Sequence, residues 1–151
     1  MIDILVINGP NLNMLGLREP EIYGSDKLAD YEAKIDALCA ELDKSCRCFQ
    51  SNYEGEMVTA IQNAARTDTA DAARSIVINA AAYTHTSIAL RDALSLFPGP
   101  KIEVHVSNVM KRERFRHESF ISEVCDGIII GLGVNSYLLG VRAVTDLLDQ
   151  Y

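Results

Sequence analysis

The stretch I-D-I-L-V-I (2–7) followed by N-G-P-N-L-N-M-L-G-L-R-E-P-E-I-Y-G (8–24) decides how the chain is read. Residues 2–7 form a short, almost wholly apolar run, the pattern of a parallel strand buried on both faces. Gly9-Pro10 then breaks the run. The connection that follows is far longer than the about 4–6 residues usual in compact domains, and such loops are functional or disordered. Leu12, Met14, Leu15, Leu17 and Ile22 make it too apolar for disorder. Residues 13–25 are therefore expected to form an ordered lid over a site, carrying Arg18 and Tyr23, with Asn11 and Asn13 at its start.

The 151 residues suit one domain, 1–151, large enough to bury both faces of a sheet. A formal charge of −7 and a pI near 4.9 argue against nucleic acid or an anionic membrane as partner. They leave room for a small anionic substrate met by a local arginine cluster. No run approaches the roughly 18 apolar residues of a membrane span, and the first residues read as a strand, so a cytoplasmic protein is expected. Cys39, Cys46, Cys48 and Cys125 match neither a zinc spacing nor a Cys-x-x-Cys pair and read as reduced core thiols.

Outward from the opening stretch, apolar runs and amphipathic segments alternate. Leu28, Tyr31, Ile35, Leu38 and Leu42 recur at helical spacing; Cys46–Gln50 reads as a strand; Met57, Ile61, Ala64 and Ala65 mark a second helix. Strands are expected at Ser75–Asn79, Ile102–Val106 and Gly127–Leu132, and helices at Thr86–Phe97 and Val134–Leu148. Such alternation implies parallel βαβ units in an α/β, doubly wound sheet with helices on both faces. Five strands favour the flavodoxin-like order 2-1-3-4-5.

In such sheets ligands bind beyond the carboxyl ends of the strands. Polar residues gather there: Asn8 and Asn11, Ser51 and Asn52, Asn79, then His105, Ser107 and Asn108. Helix capping accounts for one or two of them, not for all. Glu103 and His105 stand two apart in a strand and so share a face. A carboxylate beside an imidazole fixes its tautomer and favours the protonated ring, which suits a general acid; the plainer alternative is a histidine satisfied at a sheet edge. A metal reading through Glu103, His105 and His85 has no recognised ligand spacing behind it.

Tyr83-Thr84-His85-Thr86-Ser87 leads into a helix, where hydroxyls and free N–H groups make an anion site; plain capping needs only one hydroxyl, and three with His85 exceed that need. Asp92, on that helix, is a solvated residue or an inter-subunit contact. Arg112, Arg114 and Arg116 read as a charged face from which one member closes on a substrate carboxylate. A free tyrosine titrates near 10, so Tyr23 is a poor base unless a cation such as Arg18 lowers that value; on spacing alone it reads as a packing residue. A phosphate loop, a nucleophile elbow, a dinucleotide glycine fingerprint and a buried strand lysine are all missing from the sequence.

Taken in order, G-P-N-L-N-M-L-G-L-R-E-P-E-I-Y-G (9–24), Q-S-N-Y-E-G (50–55), N-A-A-A-Y-T-H-T-S-I-A-L-R-D-A-L (79–94), I-E-V-H-V-S-N (102–108) and R-F-R-H-E-S (114–119) resemble the type II 3-dehydroquinate dehydratases along essentially the whole chain. The resemblance implies a flavodoxin-like fold assembled as a homododecamer of trimers. It also implies trans elimination of water from 3-dehydroquinate to give 3-dehydroshikimate, with no metal, no cofactor and no covalent intermediate. By position, Tyr23 would remove a proton from the carbon next to the ketone, with Arg18 lowering its pKa, and Asn11 with a water would stabilise the enolate. His105, oriented by Glu103, would protonate the departing hydroxyl. Asn79, His85, Val106, Ser107 and Arg116 would hold the substrate, and Asp92 would reach a neighbouring subunit's site.

The sequence departs from the family pattern at Ala80-Ala81, where Pro-Gly is usual, at Met110-Lys111, where His-Ala is usual, and at Glu118, where a second histidine is usual. The main rival is a binding module of the same fold carrying a flavin or nucleotide. A second rival is a metal-dependent hydrolase built on Glu103, His105 and His85.

Overall fold

The computed structural model describes residues 1–17 and 19–150, with the backbone alone of Tyr23. Five parallel strands, β1 (Ile2–Asn8), β2 (Cys46–Gln50), β3 (Ala73–Asn79), β4 (Lys101–His105) and β5 (Gly127–Ile130), stand in the order β2-β1-β3-β4-β5. The helices are α1 (Pro20–Tyr23), α2 (Leu28–Glu41), α3 (Glu54–Ala65), α4 (Ile88–Leu96) and α5 (Val134–Leu148). The expected doubly wound order is the observed one, and the span of α5 is the one its periodicity predicts.

The two-residue period of a strand separates two cores. Ile4 and Val6 of β1, with Val77, Ile102 and Val104, face α2 and α5. Leu5 and Ile7, with Ile76 and Ile78, face α3 and α4. Ile4 to Ile7 are buried to 1 % exposure or less, and each such side chain contributes about 1.5–3 kcal/mol on leaving water. That is why β1 sits centrally, while the half-buried β2 lies at an edge. Packing is close on both faces. A Cβ at Gly140 of α5 would come within 2.9 Å of Val104 Cγ1, so this glycine lets the helix settle onto the sheet.

The cysteines are all free: Cys39 is buried, and Cys46, Cys48 and Cys125 are half-buried. Burial pushes the Cys48 and Cys125 thiols up to about 12, so they are poor nucleophiles.

Between β1 and α2 the chain forms a 3-10 turn at Leu12–Met14 and then α1. Of the apolar residues expected to order this segment, Leu12 and Leu15 are buried in the first core, whereas Met14, Leu17 and Ile22 stay exposed. Two side chains therefore anchor its start. The charged connection after β4 folds as three short 3-10 turns, at Val109–Lys111, Arg114–Arg116 and Ser122–Val124. Ile121, fully buried in the second core, ties this connection down.

Ala80-Ala81 adopts the geometry that Pro-Gly would choose. Ala80 has φ −75°, and Ala81 is left-handed at φ 49°. Gly9 packs against this turn so tightly that a Cβ there would lie 2.5 Å from the Ala80 carbonyl oxygen. An alanine in the left-handed region is strained by about 1–2 kcal/mol, while glycine costs about 0.4–1 kcal/mol through the unfolded chain. Ala81→Gly is expected to raise the thermal midpoint by a few degrees at fixed protein concentration, as read by circular dichroism.

Candidate active site

Every polar group of the site stands at the carboxyl end of a strand or on the connection that leaves it. Asn11 follows β1, and its left-handed backbone (φ 67°) is one that asparagine tolerates. Its N–H donates to Asn52 Oδ1 at 3.0 Å, so the residue after β2 fixes the residue after β1. Asn79 ends β3 with both ends of its amide held, leaving one N–H and one lone pair for the cavity. Its Oδ1 accepts the Ala81 N–H at 3.1 Å, and its Nδ2 donates to Tyr137 OH at 2.9 Å. Tyr137 in turn donates to Asn8 Oδ1 at 2.6 Å. This buried chain sets the amide's orientation without ambiguity, because the backbone N–H can only donate.

Glu103 and His105 lie on the face of β4 opposite Ile102 and Val104, and both are buried. His105 Nε2 stands 2.6 Å from Glu103 Oε1. The carboxylate accepts, so Nε2 carries the proton, and Nδ1 is the ring atom that can hold a second proton toward the pocket. Burial raises the pKa of the Glu103 carboxyl, but the contacts with His105, Ser122 and Ser119 outweigh it and hold the group below its ordinary value.

His85 lies in the 3-10 turn Ala81–His85 that precedes α4. Its Nδ1–H donates to the Glu118 carbonyl at 2.6 Å, which leaves Nε2 as an acceptor. Burial lowers its pKa, more strongly than the Glu118 carbonyl raises it, and the nearby His105 and Arg116 lower it further. Both effects favour the neutral imidazole, with Nε2 free to accept.

A cavity of about 110 Å³ opens where these groups meet, lined among others by Asn11, Asn79, His85, His105, Ser107 and Arg116. Val106, next to Ser107, also lines it, as do the apolar Leu12 and Leu15. The structure thus brings together seven of the residues named from the sequence. Glu103 stands behind His105 rather than in the lining. Asp92 is exposed on α4 and is not part of the cavity wall. Arg18 lies outside the described residues, as does the side chain of Tyr23.

Some sequence expectations are corrected. The N-terminus of α4 is not an open anion site: Ser87 caps it by accepting the Leu90 N–H at 2.9 Å and donates its own proton to Glu54 Oε1 at 2.5 Å. A carboxylate from α3 already occupies that position. Asn8, Ser51 and Asn52 serve neighbouring groups instead of lining the cavity. Asn108 caps the following turn through the Met110 N–H. Arg112, read from sequence as part of a solvated face, reaches the cavity with Arg116. It lies 3.5 Å from Ser107 Oγ and 3.8 Å from Glu19 Oε2, so it spans from the β4 end to the segment before α1. Its spacing of four from Arg116 was the available signal. Met110, Lys111 and Glu118 point outward, and Glu118 serves the site through its carbonyl alone.

Among the described residues no group of three His, Cys, Asp or Glu side chains is arranged to hold a metal ion. Glu103 faces His105, while His85 is turned to a carbonyl.

A doubly wound sheet presenting a buried imidazole–carboxylate pair, amides and two arginines to one cavity has the make-up of an enzyme site for a small anionic molecule. The chain belongs to the class II dehydroquinase family, whose model matches residues 2–145. It is 53% identical over 144 residues to the 3-dehydroquinate dehydratase of Cereibacter sphaeroides, covering 95% of each chain. It is 49% identical over 148 residues to that of Prochlorococcus marinus, covering 98% of this chain and 99% of the relative. Among solved structures, the type II dehydroquinase from Butyrivibrio crossotus matches with a TM-score of 0.89 at 44% identity, over 95% of this chain and 97% of that one.

The depressed Glu103 carboxyl has a definite pH consequence. A group whose folded value lies below its ordinary value of 4.5 adds stability above that pH and loses it as the pH falls through the folded value. The difference in thermal midpoint between wild type and Glu103→Gln should therefore be largest above about pH 5 and shrink steadily below it.

Proposed function

We propose that this chain dehydrates 3-dehydroquinate to 3-dehydroshikimate by trans elimination through an enolate, as a step of the shikimate pathway. The observation that carries the mechanism is the buried Glu103–His105 contact at 2.6 Å, opening onto a cavity flanked by amides and arginines. In this reading Tyr23 is the base that takes the proton next to the ketone, and Arg18 favours its ionised form. Asn11, with a water, stabilises the enolate oxygen. His105 gives the proton from Nδ1 to the departing hydroxyl while Glu103 balances the charge on the ring.

The remaining residues position the substrate. Arg116 meets the carboxylate. Neutral His85 accepts from a ring hydroxyl, and Asn79, the Val106 backbone and Ser107 complete the shell. Asp92, exposed on α4, is proposed to reach the site of a neighbouring subunit in a homododecamer of trimers. Residues 13–25 form the lid, excluding water once substrate is bound. We place the enzyme in the cytoplasm. No cofactor is called for, because acid, base and enolate stabilisation all come from side chains.

The test is a spectrophotometric assay of the conjugated enone product, run with and without a chelator and borohydride. Turnover insensitive to both is expected. Tyr23→Phe should reduce kcat by at least about a thousandfold, the scale of a lost general base and its charge, with the fold unchanged by circular dichroism. A Tyr23→Phe protein turning over at the wild-type rate would refute the mechanism.

A further inference from the structure

Glu103 is the only fully buried carboxylate among the described residues, and it is held by more than His105. Its Oε1 also accepts from Ser119 Oγ at 2.9 Å, and its Oε2 accepts from Ser122 Oγ. Both serines come from the connection after β4, outside the cavity lining, and neither would touch substrate. That connection is pinned around them. Ile121, between the two, is fully buried, the Phe120 N–H donates to the Thr84 carbonyl at 2.9 Å, and Arg91 reaches the Phe120 carbonyl at 3.1 Å.

The two hydroxyls differ in what else they do. Ser119 Oγ also accepts the Ile121 and Ser122 N–H groups, so it shapes the turn. Among the described residues, the Ser122 hydroxyl makes its hydrogen bond to the Glu103 carboxylate alone. The half-buried Ser122 hydroxyl thus acts on the carboxylate, whereas Ser119 also holds the turn.

We propose that Ser122, with Ser119, is a positioning residue for the dehydration. The two hydroxyls occupy the carboxylate lone pairs that His105 leaves free, fix the plane of Glu103, and keep the shared proton on the imidazole. The inference rests on the assignment of His105 as the acid. With both hydroxyls donating, the carboxylate is a weaker proton acceptor, so the proton between Oε1 and Nε2 stays on the ring, and Nδ1 keeps its aim at the cavity. Without them the carboxylate can rotate or take the proton itself. The other titratable groups near Glu103 are the Cys125 thiol, protonated at neutral pH, and His85 across the cavity.

The experiment compares Ser122→Ala and Ser122→Thr with wild type, each also in a Glu103→Gln background. Ser122→Ala is expected to lower kcat about tenfold, the scale of one charge-assisted hydrogen bond, with KM nearly unchanged and a lower thermal midpoint, because the buried carboxylate loses a donor. Ser122→Thr, which keeps the hydroxyl, should restore most of the rate. In the Glu103→Gln background Ser122→Ala should cost nothing further, since the two act as a unit. Carboxyl NMR of protein labelled with ¹³C-glutamate reads the same effect without turnover. The Glu103 signal, assigned by its loss in Glu103→Gln, should titrate at higher pH in Ser122→Ala than in wild type. Unchanged kcat together with an unchanged Glu103 titration would overturn the proposal, as would equal rate losses in both backgrounds. If wild type fails to dehydrate 3-dehydroquinate, the functional reading falls, and the titration still decides whether Ser122 governs Glu103.

Discussion

A carboxylate occupies a core position in this sheet, and the architecture around β4 follows from keeping it there. Ile102, Val104 and Val106 face one core, so residues 103 and 105 point to the other, where β1 and β3 place Leu5, Ile7, Ile76 and Ile78. An isolated ionised carboxylate at such a depth costs several kcal/mol or more. Here His105, Ser119 and Ser122 supply the compensation. The connection after β4 therefore cannot wander over the surface. It must return across the strand end to deliver two hydroxyls, and Ile121 buried between them holds it in that path.

That same return serves the cavity from several sides. Arg112 and Arg116 enter it, the Glu118 carbonyl fixes the His85 tautomer, and Ser119 and Ser122 fix Glu103. One connection thus links the strand ends of β3 and β4 into a rigid wall. The segment after β1 is built differently: two leucines anchor its start, and Leu17, Glu19 and Ile22 beyond them are exposed. In the proposed reaction the acid stands on the β4 side and the base on the segment after β1, so that substrate closure completes the catalytic pair. Arg112, 3.8 Å from Glu19, is the point where the two sides meet.

The fold was largely legible because its signals are local. Runs such as 2–7 and 75–79 announce buried strands, and the helical period of 134–148 marks α5 to the residue. The facing of Glu103 and His105 followed from strand geometry alone. What escaped detection depends on distant partners. Ser119 and Ser122 lie 16 and 19 residues from Glu103, and Tyr137 lies 58 from Asn79 and 129 from Asn8. No periodicity encodes such pairs, and a tyrosine on the apolar stripe of a helix reads as core. The 3-10 turns after β4 are too short to show a period, so their arginines looked like a solvated face. The α4 cap was misjudged for a related reason: only the packing of α3 against α4 shows that Glu54 fills the place of an anion.

In the proposed reaction, proton abstraction and loss of the hydroxyl are separate events, run by different groups on different parts of the structure. The direct test is to incubate a His105→Ala variant with 3-dehydroquinate in D₂O and follow the proton next to the ketone by NMR. The account predicts exchange of that proton for deuterium with elimination nearly abolished, because the base and the enolate shell remain while the acid is gone. Elimination at an undiminished rate would contradict it, and so would loss of exchange together with elimination in a folded protein.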